Sequence, residues 1–170
     1  MSTRNTTMVI DREYAGDHEL GFAQNPCNLA NKSYVNMYLH HDGYPEWQGV
    51  QLANWINHLS KITFGNYNRH KFPISDGAKV ASRLARDHYY DSCYLYGSPK
   101  DIDHQYTYVI WTGDKDVWIS CYDQYNSRCV FVNKPDQIIK RYEDDMEYTD
   151  WTKETRYIQE KKHEEEYHDN

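Results

Sequence analysis

The chain has 170 residues, 39% hydrophobic and 26% charged, with a formal net charge of −7. That length suits one domain with a real core, and the acidic balance excludes the basic footprint of a nucleic-acid binder. No run approaches the ~18 apolar residues of a membrane span, and no leader-like apolar segment opens the chain, so a cytoplasmic protein without membrane contact is expected.

The charge is uneven. Residues 1–85 hold eight Lys/Arg against seven Asp/Glu, and residues 86–170 hold eleven against nineteen, or −8. Aromatic content is high, with 17 Tyr and 5 Trp; Tyr suits half-buried strands and, through its polar tip, interfaces. Cys27, Cys93, Cys121 and Cys129 form no C-x-x-C pair, so zinc-finger spacing is missing and reduced thiols are expected.

In chain order, residues 1–7 read as frayed and Met8-Val9-Ile10 as a short edge strand. Residues 11–32, with Gly16, Gly21 and Pro26, read as a long connection hiding a short helix. Val35, Met37 and Leu39 alternate with Tyr34, Asn36, Tyr38 and His40, the period of a strand. Extending that alternation sends His41 inward and leaves His40 with the tyrosines. Asp42-Gly43 then makes a turn, Pro45 suits the first helical position, and Leu52, Trp55, Ile56 and Leu59 mark a helix over 46–60. Ser75 offers an N-cap for a second helix, 76–88.

Strand-like runs follow at 93–96, 105–112, 117–122 and 128–133, the second and third joined by Gly113-Asp114-Lys115-Asp116. The last three read as an antiparallel meander. Both faces of Gln105–Thr112 are apolar or aromatic, so it reads as a middle strand or one covered on both sides. Ile138, Ile139 and Tyr142 outline a helix over 136–146. The tail beyond 152 is weakly amphipathic and frays after about 160. The expected fold is a single α+β domain: an antiparallel, aromatic-rich sheet with three to four helices packed against it.

Chemistry has few footholds. His41 and Asp42, with Asp101, Asp103 and His104, supply the imidazoles and carboxylates of a small metal-dependent hydrolase. Ordinary turn and loop roles explain the same letters. No nucleophile elbow, phosphate loop or dinucleotide fingerprint occurs, and no cofactor is implied. The acidic, aromatic stretch Tyr142, Glu143, Asp144, Asp145, Glu147, Tyr148, Asp150 and Trp151 reads as a partner-binding surface.

The run His40-His41-Asp42-Gly43-Tyr44-Pro45-Glu46, between a strand and a helix, resembles a motif of small uncharacterised proteins of tailed bacteriophages. The resemblance is specific over about ten residues and implies a phage setting with no activity attached. Together these features make a non-enzymatic accessory protein that binds a host protein, such as an anti-defence inhibitor, the leading expectation. A metal-dependent hydrolase and a virion or assembly component are the alternatives. Oligomeric state is open.

Overall fold

A computed structural model describes residues 3–16, 19–64, 70–88, 93–114 and 116–143. The architecture is α+β. Strand β1 (Asn5–Asp11) is followed by 3-10 turns at Arg12–Ala15 and Pro26–Lys32 around a one-turn helix, α1 (Glu19–Phe22). Next come β2 (Val35–Leu39), a π-helical turn at Pro45–Gly49 and α2 (Val50–Leu59). The two-residue strands β3 (Thr63–Phe64) and β4 (His70–Lys71) pair with each other. Then follow α3 (Gly77–Asp87), β5 (Cys93–Leu95), β6 (Tyr106–Thr112), β7 (Trp118–Asp123), β8 (Arg128–Asn133) and α4 (Pro135–Arg141).

Six strands form one sheet in the order β5-β2-β1-β6-β7-β8. All neighbours run antiparallel except β1 and β6, which are parallel from Asn5↔Tyr106 to Asp11↔Thr112. The sheet is therefore mostly antiparallel, and its one parallel pair lies at its centre.

Period-2 alternation assigns the two faces. On one face Val9, Met37, Tyr108, Ile110, Ile119 and Phe131 meet Leu52, Trp55, Ile56 and Leu59 of α2, Val80 and Leu84 of α3, and Ile138 of α4. On the other, Met8, Ile10, Val109 and Trp111 are covered by Ala15 and Phe22 from the first connection. Each large apolar side chain buried this way contributes about 1.5–3 kcal/mol. Strand β6 is the middle strand its sequence predicts, covered on both faces.

Three expectations are corrected. Residues 5–7 are not frayed: Asn5, Thr6 and Thr7 are fully buried in β1. Likewise Met8–Ile10 lie in a central strand, because those polar residues lengthen it into a seven-residue partner for both β2 and β6. The cap of α3 is Asp76, whose carboxylate accepts from the Lys79 N–H at 3.1 Å; Ser75 stands one residue too early. The short helix expected within 11–32 is present as α1 with its flanking 3-10 turns. Of the helix expected over 136–146, residues 144–146 lie outside the described residues, as does the tail.

Candidate interaction surface

The small core covers only part of its face of the sheet. Beyond it, the register sets Tyr38 opposite Tyr94 across β2 and β5, and opposite Thr6 across β2 and β1. Directly opposed residues share a face, so Tyr38 and Tyr94 stand on the small-core side, and Tyr96 follows two residues later. The three rings lie 5.9–6.4 Å apart between centroids, at tilted to edge-on angles. Their geometries differ. Tyr38 is buried, with a hydroxyl 2.9 Å from His40 Nδ1, and burial pushes its phenol up. Tyr94 and Tyr96 are 51% and 44% exposed, and among the described residues their hydroxyls have no hydrogen-bond partner.

The patch continues past the start of β1. Arg4 donates to Asp103 at 2.7 Å, and the exposed Tyr125 donates its hydroxyl to the other oxygen of that carboxylate at 2.9 Å. The bond to Asp103 raises the Tyr125 phenol. As an exposed ion pair, Arg4–Asp103 adds under about 1 kcal/mol to stability, so its main consequence is to hold a guanidinium among tyrosines.

Asp103 also lines a groove of about 440 Å³ with Cys27, Lys100, His104 and Gln124. Its floor is a closed hydrogen-bond chain. His104 Nδ1 lies 2.8 Å from the Ile102 carbonyl and therefore carries the proton, so Nε2 accepts from the Thr107 hydroxyl at 2.7 Å. Thr107 accepts in turn from Gln124, whose amide pairs with Asn25. Burial pushes the His104 imidazolium down, against the opposing pull of the Ile102 carbonyl and Asp103. Cys27 beside it is likewise held as a thiol by burial.

The motif residues build a corner. Strand β2 ends at Leu39, so alternation stops there. His40 joins the tyrosines as the sequence predicts, but His41 is exposed instead of inward, and its ring packs edge-on to His40 at 4.8 Å. Asp42 takes the left-handed region at φ 54°. Gly43 is buried: its N–H donates to the Thr3 carbonyl at 2.9 Å, and a Cβ there would lie 2.8–2.9 Å from Thr3 and Asn5. Tyr44 is exposed, Pro45 opens the π-helical turn, and Glu46 lies in its first turn.

Among the described residues the alternative metal ligands are not brought together. Asp103 is engaged by Arg4 and Tyr125, both ring nitrogens of His104 are occupied, and Asp101 lies in the 3-10 turn Pro99–Asp101. No three His, Cys, Asp or Glu among the described residues could hold a metal ion together. Of the expected acidic surface, Tyr142 packs edge-on to Phe131 at 6.3 Å beneath the Arg141 guanidinium, and Glu143 follows it. Asp144, Asp145, Glu147, Tyr148, Asp150 and Trp151 lie outside the described residues.

The strand at 93–96 is legible in the sequence, but Tyr94, Tyr96, Tyr125 and Arg4 do not stand out there as a surface. The available signal was Tyr-Leu-Tyr itself, since two tyrosines at i and i+2 must share a face. No helix among the described residues is long and apolar enough to cross a membrane. Comparison with known proteins supplies no relative: no family model, curated protein or solved structure matches the chain.

Proposed function

We propose that this is a phage accessory protein that acts without catalysis, by docking a host protein on the tyrosine face of its sheet. The observation that carries this reading is the pair Tyr94 and Tyr96, exposed at the sheet edge beside Leu95, itself 61% exposed. Tyr and Arg are, with Trp, the residues enriched at binding hot spots, and large aromatic rings left in water gain much from being covered. The hydroxyls of both tyrosines, without a hydrogen-bond partner among the described residues, suit a polar protein surface better than lipid. The phage setting rests on the resemblance of His40–Glu46, and inhibition of a host defence or nucleic-acid-processing factor is its most specific form.

Capture from host lysate by the full chain tests this reading when run beside Tyr94→Ala/Tyr96→Ala. A partner held by the parent and lost by the double variant supports it, and a partner held equally by both removes the tyrosine face from the account. A third bait, with Glu143, Asp144 and Asp145 reversed to Lys, separates the acidic stretch from the tyrosines: loss with that bait alone would move the interface to the C-terminal region.

A further inference from the structure

The two edges of the sheet are treated differently. At the β8 edge the pairing with β7 carries a register shift after Cys121, Arg128 opens the strand, and the Arg141 guanidinium donates to the Val130 carbonyl at 3.4 Å. Bulges and charged side chains are devices that keep an edge from recruiting another strand. The β5 edge has neither: Cys93 to Ser98 carry no charge and no proline, and no register shift interrupts the ladder with β2.

The direction of the β5 backbone groups follows from one bond. The Tyr96 N–H donates to the Asn36 carbonyl at 2.9 Å, and in an antiparallel ladder hydrogen-bonded pairs alternate with non-bonded ones. Tyr94 and Tyr96 therefore turn their N–H and carbonyl groups toward β2, opposite Tyr38 and Asn36. Cys93 and Leu95 turn theirs outward, where no strand among the described residues meets them. Side chains are exposed on both faces of this edge: Tyr94 and Tyr96 on the small-core side, and Leu95, paired with Met37, on the other. The edge thus offers backbone hydrogen bonds and apolar surface together, the combination that strand addition uses.

The strand's own letters point to the occupant. Tyr94-Leu95-Tyr96 reads the same in both directions. An antiparallel copy centred on Leu95 sets leucine against leucine and each tyrosine against a tyrosine, and the two outward-facing Leu95 backbones exchange both of their hydrogen bonds. Charge favours the same occupant. Two chains of −7 repel over most of their surface, but at this edge they meet with no like charges opposed. We infer that β5 pairs antiparallel with β5 of a second copy, about a twofold axis between the two Leu95 residues, joining two six-stranded sheets into one. The axis is perpendicular to the sheet, so the Tyr94 and Tyr96 rings of both copies stand side by side on one face. The contact is isologous and closes at two copies. Because it joins backbone edges, it leaves the tyrosine face open, and it holds or fails independently of the host-protein reading.

The test is sedimentation equilibrium of the purified full chain, in reducing buffer, across a range of concentrations. A concentration-dependent monomer–dimer equilibrium is expected. Leu95→Lys and Leu95→Glu each set like charges against one another across the axis, and each should raise the dimer dissociation constant at least about tenfold. Leu95 is an exposed residue, so both variants should keep the parent's circular dichroism spectrum. Mixed in equal amounts they oppose Lys to Glu and should restore the dimer. A parent chain that stays monomeric throughout overturns the inference and leaves the edge to an extended segment of another protein. A dimer that neither variant weakens, or that their mixture fails to restore, overturns it by placing the contact elsewhere.

Discussion

The Tyr108 hydroxyl, fully buried in the middle of β6, donates to the Gly43 carbonyl at 2.8 Å. One hydrogen bond thus ties the centre of the sheet to the turn that joins β2 to its helix. The turn's other anchor is the Gly43 N–H on the Thr3 carbonyl, so both backbone polar groups of Gly43 are tied down. Burial pushes the Tyr108 phenol far above its ordinary value, which keeps the donor protonated. Tyr108→Phe should cost about 1–3 kcal/mol by leaving a buried carbonyl unpaired. Urea denaturation checks this, and a change under 0.5 kcal/mol would mean that water replaces the hydroxyl.

Gly77 begins α3 where the helix touches the sheet. A Cβ there would lie 2.5 Å from Tyr34, 2.8 Å from Asp11 and 2.9 Å from Thr112. Alanine normally gains up to about 1 kcal/mol over glycine in a helix, but overpacking costs about 1–3 kcal/mol. Overpacking should win, because those three side chains are bonded to one another and cannot yield singly. Gly77→Ala should therefore lower the melting temperature, as thermal denaturation would record.

Stability should fall in mild acid for a reason internal to the fold. Burial lowers His88 from an ordinary 6.5 to about 4, outweighing the Leu84 carbonyl and Asp87. Between those values the unfolded chain binds a proton that the folded chain refuses. Stability from this group is therefore level above pH 6.5, declines as pH falls, and levels again below about 4. The full loss is on the order of 3 kcal/mol, and His104, lowered for the same reason, adds in the same direction. Urea midpoints at pH 7 and pH 5 should differ, and His88→Leu should shrink that difference. An equal difference in the variant would assign the effect elsewhere.

Much of the fold is legible in the sequence where the burial pattern follows the letters. Tyr106 to Thr112 alternates two apolar faces and is the middle strand; Leu52, Trp55, Ile56 and Leu59 are one helix face and are all buried. Legibility fails where polar residues are buried. Asn5, Thr6 and Thr7 look like a frayed end, yet tertiary pairing on both sides makes them the start of a central strand. Parallel pairing of β1 with β6 leaves no local trace, because its partner lies about a hundred residues away. The tyrosine face was hidden differently: tyrosine has strand propensity whether buried or exposed, and what distinguishes Tyr94 from Tyr108 is the position of β5 at the sheet edge together with the opposite, less covered face on which Tyr94 stands.

The exposed rings at that edge carry the functional account. Tyr94→Ala and Tyr96→Ala remove exposed side chains whose hydroxyls make no hydrogen bond among the described residues, so each should change folding stability by under about 1 kcal/mol. The same truncations should cost a docked complex about 2 kcal/mol or more together.

The most direct measurement is therefore a calorimetric titration of the captured host protein against the parent chain and Tyr94→Ala/Tyr96→Ala, with melting curves alongside. The account predicts matching melts and an affinity at least about thirtyfold weaker for the double variant. Matching melts with matching affinities would contradict it.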